Sequence, residues 1–242
     1  MHHLLKVTAG IFLFTGNFLV QGQFLAPGGL PPGFHHALLD VLAASPSFYG
    51  RATVQMSNGP DKDPTVIPCH IAVLSGNMRF EADSFQPGSN LPPSQVAQLT
   101  NMQSISILRP DRNRMYMVFP GFRSFVEIAY SKSTGTDAAP PPQINKTPLG
   151  NELLGDQPCA KSQWKITEPD GEHYDVNVWA ATNSSAVPIQ IQIGPALVTF
   201  QDLRMEPPDA GLFEPPAGYT KYEGIQEIIL RDAEKARQTN AP

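Results

Sequence analysis

The stretch Phe48-Tyr49-Gly50-Arg51-Ala52-Thr53-Val54-Gln55-Met56 decides the fold class. Phe48, Gly50, Ala52, Val54 and Met56 alternate with Tyr49, Arg51, Thr53 and Gln55. Successive side chains of a strand point to opposite faces, so this period of two sends one row to a core and the other to water. A polar turn over Asn58 to Pro64 follows, and then Ile67, Cys69, Ile71 and Val73 alternate in the same way. Ser75-Gly76-Asn77 reads as a tight hairpin turn into a third strand. There Met78, Phe80 and Ala82 oppose Arg79, Glu81 and Asp83, which completes one meander.

Further along, Pro92 to Met102 is a short helix candidate with Val96 and Leu99 as its apolar pair. Ser104 to Leu108, Arg114 to Phe119 and Ser124 to Ala129 read as strands, turned by Arg109-Pro110-Asp111 and Pro120-Gly121. Ser131 to Asn145 reads as a loop through Pro140-Pro141-Pro142. It is not a domain boundary, because each half alone would have only a thin core. Gln163 to Thr167, His173 to Ala180, Val187 to Ile193 and Leu197 to Met205 bring the expected strands to about ten. In front of all these, Phe34, Leu38, Val41 and Leu42 mark one face of a helix ended by Ser45-Pro46. Behind them, Glu223 to Arg237 reads as a helix with Ile225, Ile228, Ile229 and Ala233 on one stripe. The expectation is a mainly β (α+β) domain over 34–222, an antiparallel sheet with helices on one side, then a C-terminal helix and tail over 223–242.

Composition agrees. The chain has 242 residues, 41% apolar and 16% charged, with 25 prolines and 19 glycines, which suits short strands and many turns. A net charge of −5 forfeits the counterion-release contribution and argues against nucleic acid as a partner. Residues 1–22 read as a signal peptide: Lys6, then Val7 to Val20, an apolar run broken by Thr8, Gly10, Thr15, Gly16 and Asn17. That run is short for a bilayer span, although an uncleaved anchor is the alternative. Cleavage is expected before Gln23, leaving a Pro/Gly-rich leader over 23–33 and no integral membrane segment. The expected destination is therefore periplasmic or extracellular. In such an oxidising space Cys69 and Cys159 are expected either to form a disulfide or to stay as two buried thiols.

Signals for chemistry are sparse. The sequence has no G-x-S-x-G elbow, H-E-x-x-H helix, P-loop or dinucleotide glycine pattern, so no catalytic residue, metal site or cofactor is expected. His35 and His36 point about 100° apart on a helix and cannot share one metal simply. His70 and His173 stand alone in strands, and the carboxylates Asp111, Glu127, Glu152, Asp156, Asp175 and Asp202 suit solvated faces and turns. Asn145-Lys146-Thr147 and Asn183-Ser184-Ser185 fit the N-glycosylation pattern, relevant only in a eukaryotic secretory path. Methionine and aromatic side chains carry the one positive signal: Met78, Phe80, Met115, Met117 and Phe119, with Met56 and Met102, fall on apolar strand faces or a helix. Flexible thioethers suit an adaptable, lipid-sized cavity, although plain core filling is the more ordinary use of methionine.

The order of several pieces resembles a known family. Ser75-Gly76-Asn77-Met78-Arg79, Ile107-Leu108-Arg109-Pro110-Asp111 and Leu149-Gly150-Asn151-Glu152, leading through Gly155 to Cys159, come first. Val178-Trp179-Ala180-Ala181 with Val187-Pro188-Ile189, and Phe213-Glu214-Pro215-Pro216-Ala217-Gly218-Tyr219, complete the set over about residues 48–220. Together they resemble the exported bacterial DUF4412 family, related to the LolA-like lipoprotein-carrier fold. The resemblance implies a strongly curved antiparallel sheet, a half-open β-barrel, whose concave face is covered by helices and receives acyl chains in the carrier relatives. The function expected is a non-enzymatic binding or carrier module for a lipid, lipoprotein or apolar peptide. The alternative is a secreted interaction domain with a filled core and no small ligand.

Overall fold

The computed structural model describes residues 30, 33–43, 45–57, 59–83, 103–130, 141–182 and 187–239. Within them, twelve strands form one sheet whose order is β12-β6-β5-β4-β3-β2-β1-β11-β10-β9-β8-β7. One meander runs outward from the centre through β1 (Phe48–Met56), β2 (Thr65–Leu74), β3 (Asn77–Ala82), β4 (Ile105–Arg109), β5 (Arg114–Phe119) and β6 (Ser124–Ala129). The chain then reaches the opposite edge and returns through β7 (Gln143–Leu154), β8 (Gln157–Thr167), β9 (His173–Ala181), β10 (Pro188–Ile193) and β11 (Ala196–Arg204). β11 pairs with β1, joining the two arms into one continuous ladder. All these pairs are antiparallel, but β12 (Thr220–Tyr222) lies parallel to β6, so the sheet is not antiparallel throughout.

The β1 stretch behaves as its alternation requires: Phe48, Ala52 and Val54 are buried in the main core. Gly50 breaks the row for a structural reason. The β1–β11 register shifts between Tyr49 and Arg51, and a Cβ on Gly50 would stand 2.8 Å from the Asp202 carbonyl oxygen. Opposite it, Asp202 adopts φ 50°, a left-handed conformation unusual for a residue with a side chain, and ion-pairs with Arg51. Such a bulge sharpens the local twist of the strand that carries it.

Helix α1 (Phe34–Leu42) is buried nearly all round, with Phe34, Ala37, Leu38, Leu39, Val41 and Leu42 in the main core. It follows Gly33, which takes φ 72° while the Tyr174 ring lies where a Cβ would be. Helix α2 (Ile225–Thr239) docks through Ile225 and Ile228 against Met117, Phe119 and Val126, while Ile229 and Leu230 stay exposed. The helix expected over Pro92 to Met102 and the segments before residue 30 lie outside the described residues.

Two strands absent from the sequence reading explain themselves. β7 is exposed on both faces along almost its whole length and carries Pro148 and Gly150 at a register shift. With neither face buried it has no apolar alternation to read, and proline is tolerated because this is an edge. β12 has only three residues. Neither helix of the described residues is long and apolar enough to cross a membrane.

Candidate functional site

Register assigns the five expected ligand-facing residues to one surface. Met78 opposes Leu108, Leu108 opposes Met115, and Ser106 opposes Met117, so these residues share a face of β3, β4 and β5. Phe80 and Phe119 lie one period further along their strands on that same face. Both helices pack here. The Phe34 and His35 rings meet Phe80 edge-on, 5.9 and 5.2 Å between centroids, while Ile228 of α2 joins Met117 and Phe119. Met115 touches both clusters and links them. The expected set is therefore brought together. Met78, Phe80, Met117 and Phe119 are all buried, and Met115 is half-buried.

Residues of both arms of the sheet share a core cluster with α1. Tyr130, just past β6 near one edge of the sheet, and Glu168, just past β8 near the other, both act on Asp40 of α1 or are acted on by it. The His36 ring stands 4.7 Å from that of Tyr130. A flat sheet would hold β6 and β8 about nine strand spacings apart, more than 40 Å, so the sheet must curl strongly for one helical turn to reach both. Curvature, not sequence proximity, assembles this end of the site.

Electrostatics at the same end are unusual. Burial, then the neighbouring Glu168 carboxyl, pushes the Asp40 carboxyl up to about 8. His35 is enclosed by apolar rings, and burial, with His36 beside it, lowers its imidazole to about 4, so it is neutral at physiological pH. Its Nε2 is buried without a hydrogen-bond partner. Sequence reading treated His35 only as a rejected metal ligand and passed over Asp40. Their burial follows from a helix covered on nearly every side, which the four-residue apolar stripe did not foretell.

On the outer face, residues 206–219 cross the first arm as a strap. Phe213 is buried among Ala72, Ile105, Ile107, Tyr116 and Val118. Arg79 donates to the Leu212 carbonyl at 3.2 Å, and Arg109 to that of Phe213 at 3.2 Å. Beside the strap, Tyr49, Arg51, His70, Arg79, Asp202 and Arg204 help line an open hollow of about 670 Å³. Its arginines already have acceptors: Arg51 is paired with Asp202, Arg79 with Glu81, and Arg204 meets the Tyr49 hydroxyl.

Of the two expectations for Cys69 and Cys159, the disulfide is not made; both thiols are free and buried. Cys69 lies on the inner face of β2, and register through β1, β11, β10 and β9 puts Cys159 on the opposite face of β8. Four strands separate them, far beyond the Cα span of a disulfide. Each thiol donates to a carbonyl instead, Cys69 to Ala52 at 3.3 Å and Cys159 to Gln157 at 3.4 Å. Burial pushes the Cys69 thiol up to about 12, so it is a packed, protonated group. No group of three or more His, Cys, Asp or Glu among the described residues is placed to hold a metal ion.

No family model and no curated protein sequence matches the chain, so the DUF4412 resemblance rests on the sequence pieces that carry it. Solved structures do show likenesses. A LolA superfamily protein from Nitrosomonas europaea is 10% identical with a TM-score of 0.40, over 74% of this chain and 96% of that one. A DUF1329 family protein from Desulfovibrio piger is 9% identical with a TM-score of 0.35, over 74% of this chain and 93% of that one.

Proposed function

We propose that the domain is an exported, non-catalytic binding or carrier module that takes an apolar ligand, an acyl chain or apolar peptide segment, on the inner face of its rolled sheet. The observation that carries this reading is the continuous row Met78, Phe80, Met115, Met117 and Phe119, lying beneath two separate helices on a single face. A methionine-rich surface repacks around guests of different shape at low cost, because an unbranched thioether has several near-equal rotamers. The chain's negative charge fits an apolar rather than a polyanionic partner.

The second reading is an interaction domain with a filled core, and the near-complete burial of Met78, Phe80, Met117 and Phe119 favours it. Uptake of a fluorescent fatty-acid analogue by the native protein separates the two. The carrier reading expects saturable uptake, displaced by unlabelled fatty acid and blocked in Met117→Trp with little loss of stability. A filled core expects no uptake by the unmodified protein across acyl lengths and apolar peptides. There the same substitution overpacks, costing about 1–3 kcal/mol.

A further inference from the structure

Asp40 and Glu168 present a problem of hydrogen-bond chemistry. Their side chains lie in hydrogen-bonding contact, yet two carboxylates offer only acceptors to each other. Asp40 Oδ2 and Glu168 Oε1 are both buried without a hydrogen-bond partner. Among the described residues, the charges that shift Asp40, Tyr130 and Tyr174 are negative. Tyr130 feels Asp40 and Glu168, while Tyr174 feels Glu168, Asp170 and Glu172, and donates its hydroxyl to Glu172 at 2.7 Å. His36, on the same helix face as Asp40, packs its ring on Tyr130. One proton held between the two carboxyls turns one of them into a donor and satisfies both orphaned oxygens. Without it, two like charges face each other away from water.

We propose that Asp40 and Glu168 form a proton-operated clasp that holds α1 against both arms of the sheet, closed while they share a proton and loosened when both are ionised. The contact joins elements that nothing else in sequence connects: the last turn of α1, the turn after β8, and, through Tyr130, the end of β6. It holds the last turn of the helix whose first turn, through Phe34 and His35, covers Phe80. That loosening α1 uncovers a ligand surface rests on the carrier reading; the clasp itself does not.

The working range follows from two opposed groups on one helix. Docking raises Asp40 from its ordinary value to about 8, so docking is strongest at low pH and weakens as pH rises from about 4 to about 8. Docking lowers His35 to about 4, so His35 weakens docking as pH falls below about 6.5. Between about pH 4 and 6.5 each changes proton binding by about one, in opposite senses, and the two slopes cancel. Above about 6.5 Asp40 acts alone, and the docking equilibrium falls by up to about tenfold per pH unit until about pH 8.

Hydrogen exchange of the α1 amides, corrected for intrinsic rates and normalised to β10 amides, reads the clasp without any ligand. Protection of α1 in the unmodified protein should be level from pH 5 to 6.5, then fall up to about tenfold per unit to pH 8. In Asp40→Asn an amide donates to Glu168 without a titrating proton, so protection should stay level from pH 6.5 to 8 and fall only below 6.5; in Glu168→Gln burial still acts on Asp40, so the fall above pH 6.5 should be reduced rather than abolished. Infrared spectroscopy of the unmodified protein at pH 7 should show a carboxylic-acid carbonyl band, absent from Asp40→Asn. Level α1 protection from pH 6.5 to 8, an equal fall in both variants, or no acid band in the unmodified protein overturns the clasp. Failure of the carrier reading would show only as absent fatty-acid uptake and would leave these results unchanged.

Discussion

Arg109, at the end of β4, ion-pairs with Glu214, 105 residues further along the chain, and also donates to the carbonyl of Phe213. Its other guanidinium edge forms a bidentate pair with Asp111, at 2.8 Å for each bond. Arg112 adds a second cation to Glu214 at 2.9 Å. One largely buried arginine thereby ties the first arm of the sheet to the strap that carries the chain to β12. The fork-shaped guanidinium is what lets a single side chain serve two carboxylates and a carbonyl.

Arg109→Ala should therefore loosen the strap as well as lower stability. Loss of a buried, multiply bonded charge typically costs about 3–5 kcal/mol. Asp111 and Glu214 are well exposed and can rehydrate, so the expected loss is about 2–3 kcal/mol. Urea unfolding measures it. Arg109→Lys should recover only a minor part, because an ammonium cannot make the bidentate pair. A loss under about 0.5 kcal/mol for Arg109→Ala would show that the strap is held by Phe213 alone.

Gly33→Ala tests the seating of α1. The new Cβ would collide with the Tyr174 hydroxyl and ring, and φ 72° is strained for alanine. Destabilisation of about 1–3 kcal/mol is expected. In a Tyr174→Ala background the steric share disappears and only the backbone share, about 1 kcal/mol, remains. A double-mutant cycle reads that coupling directly, and purely additive costs would show that the ring simply swings away.

The free thiols make a simple chemical prediction. Denatured, unreduced protein should label at both Cys69 and Cys159, whereas a bridged protein would label at neither. In the native state Cys69 should alkylate only through opening of the fold, because it is buried and its thiolate is strongly disfavoured. Fast native labelling of Cys69 would contradict its place in the core.

What could be read from the chain depended on burial of one face. β1, β2 and β3 bury alternate residues along much of their length, so their period is legible, whereas β5 is buried on both faces in its second half and is legible by its apolar content. β7 buries neither face and left no trace. The apolar row of β1 concealed a different use of Gly50, which is there for close approach of β11. Pieces quoted for the family resemblance, Leu108-Arg109-Pro110-Asp111 and Phe213-Glu214-Pro215, turn out to touch each other. Asp40 and Glu168 were not legible as a pair. Their meeting depends on how far a twelve-strand sheet rolls, which no local period encodes.

His35 gives the last prediction, for overall stability rather than for docking of α1. Its folded value is lowered to about 4, below the 6.5 of an unfolded chain. Below about pH 6.5 the unfolded state binds a proton that the folded state refuses, so the contribution of His35 to stability falls as pH falls toward 4, opposed by that of Asp40. Replacing His35 by Met keeps an apolar, adaptable side chain between Phe34 and Phe80 and removes the orphaned Nε2. At pH 7.5, His35→Met should match or exceed the unmodified protein, since an unsatisfied buried polar atom costs about 1–3 kcal/mol. As pH falls from 6.5 to 5, its advantage should grow by up to about 1.4 kcal/mol per unit. Urea unfolding at pH 7.5, 6 and 5 measures both values. An advantage that does not widen on acidification would show that His35 becomes protonated in the folded state with a partner inside the core.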